Sequence, residues 1–260
     1  MAQDIALITG ASSGIGEALA HRIARDGRHL VLVARRAERL LALAGELEKK
    51  YGVKAHVVAR DLVQPGAVLE LLDELKRRGL TVDWLVNNAG FGTAGRFDRL
   101  PVEREVEEIR LNVEALVELC GRCIPGMVAR RSGAVMNIAS LGGFAPGPYM
   151  STYAATKAFV LSFTEGIAAE LRGSGVQVLC VCPGFTRTEF QERAEVDVTG
   201  IPSFAWMSAE QVADQAVRAI GHGPVLVNGV MNSVMASTIR FIPRGLTARV
   251  VAAFLKPKEA

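Results

Sequence analysis

Tyr153 and Lys157 stand four residues apart in STYAATKAFVLSFTEGIAAEL. No proline interrupts that stretch and its first glycine is Gly166, so the spacing predicts a helix with both side chains on one face, roughly 6 Å apart along the axis. A free phenol, with a pKa near ~10, is a poor base at neutral pH. A close ammonium favours the phenolate and is expected to lower that value. Tyr153 is therefore a candidate general acid and base, with Lys157 tuning it. Tyr149 lacks such a partner, because its +4 neighbour is Tyr153 and Pro146 and Pro148 hold it in a loop before the helix. It is expected to line a pocket. A tyrosine–lysine pair at this spacing is common by chance, so its meaning depends on its surroundings.

TGASSGIG (9–16) supplies one such surrounding. Gly10, Gly14 and Gly16 follow the first strand-like run and open a helical pattern. Glycines there permit positive φ, close backbone approach to a ligand and tight strand–helix packing. The helix N-terminus that follows offers free N–H groups and partial positive charge to a pyrophosphate. Ser12 and Ser13 add hydroxyls, and Ile15 sits inside the turn. The competing reading is a tight turn with no ligand. At the end of the second strand, VLVARR places Ala34 where an acid would bond a ribose 2′-hydroxyl, followed by Arg35 and Arg36. Two cations at a helix start oppose the macrodipole. A 2′-phosphate, matched by the guanidinium fork, would offset that cost. NADP(H) is the cofactor this implies, with Arg35 as its main phosphate contact and Arg36 either a second contact or solvated.

These residues need a frame. Apolar runs without polar alternation occur at IALIT (5–9), HLVLVA (29–34), KAHVVA (54–59), VDWLVNN (82–88), AVMNIA (134–139), VQVLCVCP (176–183) and PVLVNG (224–229), each separated by helix-like sequence. Such runs suit a parallel sheet covered on both faces. Strands alternating with helices indicate βαβ units. The expectation is an α/β fold: a single doubly wound Rossmann-type domain spanning 1–260, with a seven-stranded parallel sheet and helices on both faces.

With that order in place, the chain resembles the short-chain dehydrogenase/reductase family across roughly residues 5 to 190. TGASSGIG matches the family's glycine turn. Asp61 in ARDL, with Leu62, matches the acidic residue at the adenine. NNAG (87–90), with Asn88, Ala89 and Gly90, matches the segment after strand four. Asn112 in LNV, Ser140 in NIAS, Tyr153 and Lys157 match the catalytic tetrad. PGFTRT (183–188), with Pro183, Gly184, Thr186 and Thr188, matches the segment at the nicotinamide end. The resemblance implies an oxidoreductase that moves a hydride between nicotinamide and a carbonyl or secondary alcohol, with Lys157 also holding the nicotinamide ribose. Elementary chemistry agrees. Ser140 follows strand five, at the carboxyl edge where doubly wound sheets bind ligands, and its hydroxyl can polarise a carbonyl. Asn112 is expected to steady a water in a proton relay. Taken singly, Ser140 could be a turn serine and Asn112 an ordinary polar helix residue.

Bulk properties narrow the classes. Thirty basic and 27 acidic residues give a net charge of +3, with no basic stripe, so nucleic acid is not an expected partner. The N-terminus lacks a signal-like pattern, and a cytoplasmic protein is the expectation. Cys120, Cys123, Cys180 and Cys182 read as buried thiols; a zinc site from the two pairs is the competing reading. About 188–222 is expected to form a substrate lid, with Phe190, Phe204 and Trp206 facing the substrate. SAEQVADQAVRAI starts as a helix capped by Ser208 and Gln211. The tail, about 230–260, is apolar with scattered basic residues including Arg249, Lys256 and Lys258. It reads as a subunit contact, a substrate flap, a membrane-surface helix or a cover for the chain's own core. The helix ATKAFVLSFTEGIAAEL is apolar or small nearly all round, which predicts a homodimer or homotetramer. The expected substrate is a bulky apolar ketone or aldehyde, with a 3-oxoacyl thioester as the alternative. A non-catalytic nucleotide sensor or a scaffold protein would not need Ser140, Tyr153 and Lys157 in register.

Overall fold

The computed structural model describes residues 4–196 and 198–255, so Lys256 and Lys258 lie outside the described residues. The chain runs β1 (Ile5–Thr9), α1 (Gly14–Arg25), β2 (His29–Ala34), α2 (Ala37–Tyr51), β3 (Ala55–Ala59), α3 (Ala67–Arg77) and β4 (Trp84–Asn87). Then α4 (Val102–Ile109) passes through one π turn (Arg110–Glu114) into α5 (Ala115–Ala129), before β5 (Gly133–Ile138), α6 (Ser151–Glu170) and β6 (Val176–Cys182). A two-residue strand β7 (Thr186–Arg187) and the short α7 (Phe190–Arg193) precede β8 (Met207–Ser208), α8 (Ala209–Ala219), β9 (Val225–Val227), α9 (Val230–Ile239) and α10 (Arg244–Leu255).

Seven strands form one sheet in the order β3-β2-β1-β4-β5-β6-β9, every pair parallel. The seven runs legible as strands are these seven. The pair β7–β8 is an addition, too short to carry a sequence period. Because both faces are covered, β1 is buried along its whole length. One core layer packs Leu71, Leu75, Leu119, Met127 and Val160 on one face, and the other packs Leu19, Ile23, Leu40, Leu47 and Val212 on the opposite face. The four cysteines are buried in the first layer as apolar thiols. Each fully buried Leu or Ile contributes roughly 1.5–3 kcal/mol by leaving water.

The strand order reverses between β1 and β4. At that switch point the loops leaving the two carboxyl ends diverge and open a crevice. Every motif that could do chemistry sits on that edge: the glycine turn after β1, the arginines after β2, Asp61 after β3, NNAG at β4, Ser140 after β5 and PGFTRT after β6. Helix α6 runs through Gly166 as its sequence predicts. The segment 188–222, expected as a substrate lid, holds a core helix in its second half. From Ser208 the capping box forms as read, Ser208 Oγ accepting from Gln211 N at 3.2 Å and Gln211 Oε1 accepting from Ser208 N at 2.9 Å. Helix α8 then packs in the core, burying Val212, Ala213 and Ala216 with Leu19 and Ile23.

Candidate active site

The glycine turn is built for close backbone approach. Gly10 has φ +66°, and a Cβ on Gly16 would stand 2.3 Å from the Gly10 carbonyl oxygen. The turn is locked from β4. Thr9 Oγ1 donates to Val86 O and accepts from the N–H groups of Asn88 and Ala89, both at 3.0 Å, while Asn88 Nδ2 donates to Thr9 O and Gly10 O at 3.0 and 3.2 Å. Asn88 thus uses its amide nitrogen on the turn itself, although it also borders the cavity. Gly16 packs beneath the turn and does not line the cavity.

The two arginines differ in how they are held. Arg36 is tethered, donating from Nη2 to Ser13 Oγ at 2.8 Å and to Ser12 Oγ at 2.9 Å, and from Nη1 to Glu189 Oε2 at 3.1 Å. Arg35 is the loosely held cation, its side chain 65% exposed and its Nη1 3.9 Å from Asp61 Oδ2. Asp61 spends its other oxygen on Val63 N. Glu189, which motif reading passed over, also accepts from Arg39 at 2.5 Å and from Arg193. Bonded to Arg39 and Arg36, it is held down to about 2. The residue ties the glycine turn to the start of α7. In this corner Ala34, Ser13 and Arg35 fit a nucleotide carrying a 2′-phosphate: no carboxylate ends β2, and guanidinium and hydroxyl donors line the cavity.

Ser140, Tyr153 and Lys157 converge on the floor of the same cavity. Ser140 caps a short 3₁₀ turn, its Oγ accepting from Gly142 N at 3.1 Å, and it also borders the cavity. The Tyr153 ring packs on Phe190 at 5.1 Å between centroids. Lys157 is buried, donates from Nζ to Ile138 O at 2.8 Å, and lies 5.7 Å from the Tyr153 ring centre. The expectation that Lys157 lowers the phenol is corrected here. Burial pushes Tyr153 up to about 12, against the pull of Ser140's hydrogen bond. The same burial brings Lys157 down to about 8. Desolvation penalises both charged forms, and the lysine's hydrogen bond goes to a backbone carbonyl.

Asn112 lies behind this floor, in the π turn. Its Nδ2 donates to Phe91 O at 2.9 Å and to Thr156 Oγ1 at 3.1 Å, and its Oδ1 accepts from Phe91 N at 3.2 Å. It fixes the loop after NNAG to helix α6, and its side chain does not reach the cavity. On α4, just before that π turn, Glu105 and Glu108 are both buried. Glu105 accepts from Thr93 Oγ1 at 2.5 Å and from Thr152 Oγ1, while Glu108 Oε2 accepts from Thr93 N at 3.1 Å and Thr93 Oγ1 at 3.0 Å. Burial, with Glu105 beside it, raises Glu108 to about 7 against the hydrogen bonds from Thr93.

The cavity itself is about 990 Å³. Pro183, Gly184, Thr186 and Thr188 border it on the β6 side, and Phe144, Met150, Phe190, Ile201, Ala205 and Ile239 give it an apolar wall. Of the four residues expected at the substrate, only Phe190 lines it. Tyr149 does not: it takes φ 67° and its carbonyl accepts from Gly95 N at 2.8 Å, which hands the lining position to Met150. Phe204 is 71% exposed. Trp206 packs on Phe185 at 5.5 Å and borders a separate shallow depression with Arg187 and Glu192.

A sequence model of the short chain dehydrogenase family matches residues 4–198. Sulfoacetaldehyde reductase 2 of Chromohalobacter salexigens is 39% identical over 189 residues, covering 72% of this chain and 74% of that one. A solved structure of a 7beta-hydroxysteroid dehydrogenase superposes with a TM-score of 0.88 at 29% identity, covering 96% of both chains. A short-chain dehydrogenase from Sphingobium yanoikuyae in complex with NADPH gives 0.83 at 36% identity, over 99% of this chain and 97% of that one.

Proposed function

The chain belongs to the short-chain dehydrogenase/reductase family, and on that premise we propose that it is an NADP(H)-dependent oxidoreductase that reduces a bulky apolar ketone or aldehyde to the alcohol. The observation that carries this reading is the placement of Ser140, Tyr153 and Lys157 on the floor of a cavity of about 990 Å³ walled by Phe144, Met150, Phe190 and Ile201. A small polar aldehyde, such as the substrate named for the Chromohalobacter relative, would leave that wall uncovered. A hydroxysteroid, named for the most superposable of the structures above, would cover it.

The glycine turn, Arg35 and Ser13 bind the nucleotide end of the cofactor, and Ala34 presents no carboxylate to a 2′-phosphate. When bound, the nicotinamide supplies the hydride to the carbonyl carbon. Ser140 Oγ donates to the carbonyl oxygen and polarises it. Tyr153 then gives its phenolic proton to that oxygen as negative charge develops there. A phenol pushed up to about 12 holds its proton throughout the neutral range, so the acid form is ready for reduction. Lys157 compensates the phenolate left behind. Asn112 and Thr156 hold the backbone around this group.

Assembly as a homodimer or homotetramer belongs to the same reading. Phe159, 42% exposed, stacks on Phe163 on α6, and α4, which touches α6, exposes Val106 and Ile109. The test of function is the loss of NADPH absorbance against a carbonyl panel. With a fitting apolar wall, each added buried methylene should raise kcat/KM about fourfold, from ~0.8 kcal/mol apiece. A ranking headed by sulfonated or other charged aldehydes would overturn the apolar assignment. One headed by 3-oxoacyl thioesters would replace it with the acyl alternative.

A further inference from the structure

Helices α9 and α10 have two unlike faces. The inner one closes the site. Ala236 is buried, Met235, Ala236, Ile239 and Val251 line the cavity, and Asn232 packs on Gly184 and donates to Asn228 O at 2.7 Å. The outer one carries no comparable cover. Phe241 is 89% exposed, Val230 84%, Met231 64% and Val234 58%, with Leu246 and Val250 half exposed beyond the turn. Large apolar side chains rarely stand in a contiguous exposed set on a soluble monomer unless the patch meets something.

Charge says what it meets. No aspartate or glutamate occurs between Asp214 and Glu259, while Arg240, Arg244 and Arg249 interrupt the apolar set. All three arginines are exposed, and among the described residues none pairs with a carboxylate; Arg240 stacks over Phe144 at 5.7 Å. Elsewhere on the surface Arg22, Arg60, Arg78 and Arg122 each face an acid. A second copy meeting this face about a two-fold axis would bring like patches together. It would then set three arginines against three arginines with no acid between them.

We propose that the outer face of α9 and α10 docks on an anionic lipid bilayer, with Phe241, Val230 and Val234 in the acyl boundary and Arg240, Arg244 and Arg249 at the headgroups. Both components of interfacial binding, buried apolar area and attraction to anionic lipid, are then met by one surface. No helix among the described residues is long and apolar enough to cross a membrane, so the contact is a surface one. Docked in this way, one layer of helix separates lipid from the cavity, since Met235 is both 45% exposed and part of the cavity wall.

The test is flotation of the full chain with two vesicle preparations, one of equal parts phosphatidylglycerol and phosphatidylcholine and one of phosphatidylcholine alone. The wild type should float with the first and stay largely behind with the second. Val230→Ser with Phe241→Ser should lower partitioning at least tenfold. Arg244→Glu with Arg249→Glu should lower it more than about twentyfold, since each basic residue near an anionic surface contributes roughly fivefold. NADPH binding, followed by fluorescence, should be unchanged in both variants. Wild type that fails to float with anionic vesicles overturns the proposal, as does equal flotation of wild type and both variants. If the apolar variant instead converts a larger assembly to a smaller one while wild type ignores vesicles, the face belongs to a second copy. None of these readouts uses turnover, so the result is separate from the fate of the reductase reading.

Discussion

The floor of the cavity and its roof are made on different physical terms. On the floor, at the carboxyl edge of the sheet, polar side chains are buried and their bonds are closed within the protein: Thr9 with Asn88 and the glycine turn, Lys157 with Ile138, Asn112 with Phe91 and Thr156. The roof turns Phe190, Ile201, Ala205, Met235 and Ile239 toward the cavity and is partly open to solvent. Buried polar networks admit one arrangement, whereas an apolar wall tolerates changes of shape and volume. On the proposed reading the floor sets the reaction and the cofactor, and the roof sets which carbonyl enters. Substitutions that separate the two sharpen this contrast.

The largest effect on binding belongs to the floor. Gly16→Ala would place a methyl group 2.3 Å from the Gly10 carbonyl oxygen, and backbone cannot yield as a side-chain tip can. NADPH affinity, titrated by fluorescence, should fall by at least a hundredfold. Retained affinity would mean that the turn is not the nucleotide cradle.

Next comes the rim of the floor. Wild type should prefer NADPH to NADH by at least tenfold in kcat/KM, because one charge-assisted bond from Arg35 is worth roughly 1.5–3 kcal/mol and ~1.4 kcal/mol is a decade. Ala34→Asp with Arg35→Ile should reverse the preference. Arg36→Ala should act differently. Its bonds to Ser12, Ser13 and Glu189 organise the turn, so both cofactors should weaken together. A selective loss of NADPH in Arg36→Ala, with none in Arg35→Ile, would move the phosphate contact to Arg36.

Glu108 should register in stability. Folded, it keeps its proton up to about 7, against a normal value of 4.5. Between those values the folded chain binds more protons than the unfolded one, so stability falls as pH rises through that window and the full penalty stands above it. Glu108→Gln should then raise Tm at pH 8 by about 2–4 °C for each kcal/mol recovered, with little or no gain at pH 4. Equal Tm shifts at both pH values would show that the carboxyl does not titrate late.

The smallest effects belong to the roof and its margins. Phe190→Ser should raise KM for an apolar ketone about tenfold while leaving NADPH affinity alone, because Phe190 lines the cavity and touches Tyr153. Phe204→Ser and Tyr149→Phe should each change kcat/KM less than about threefold, within the ±0.5 kcal/mol usual for sites away from buried features. A large loss from either would put that side chain back in the cavity.

The same contrast explains what could be read from sequence. Strands buried on both faces announce themselves as unbroken apolar runs, and the strand-edge motifs are local, so the sheet, the glycine turn, Ser140, Tyr153 and Lys157 were legible together. The cap at Ser208 was legible because it lies within one turn of helix. Other features depend on partners far along the chain. Glu189 meets Arg36 across 153 residues, and Glu105 meets Thr152 across 47, so neither leaves a local signal. Glu108 in EREVEEI looks like a solvated helix face until the π turn and α6 bury it. The spacing of Tyr153 and Lys157 says nothing of desolvation, which both side chains meet on burial. Phe204 and Trp206 sit in a loop without period, where composition suggests an apolar role and cannot point the side chain.

The central claim is that Tyr153 on this floor delivers the proton in hydride transfer. Turnover of a bulky apolar ketone with NADPH, measured in wild type and Tyr153→Phe alongside NADPH affinity, tests it most directly. The account predicts that the variant loses turnover by about a thousandfold or more, at the upper part of what general acid catalysis supplies, with affinity for NADPH within a few fold of wild type. A Tyr153→Phe enzyme that still turns over at a comparable rate would contradict it.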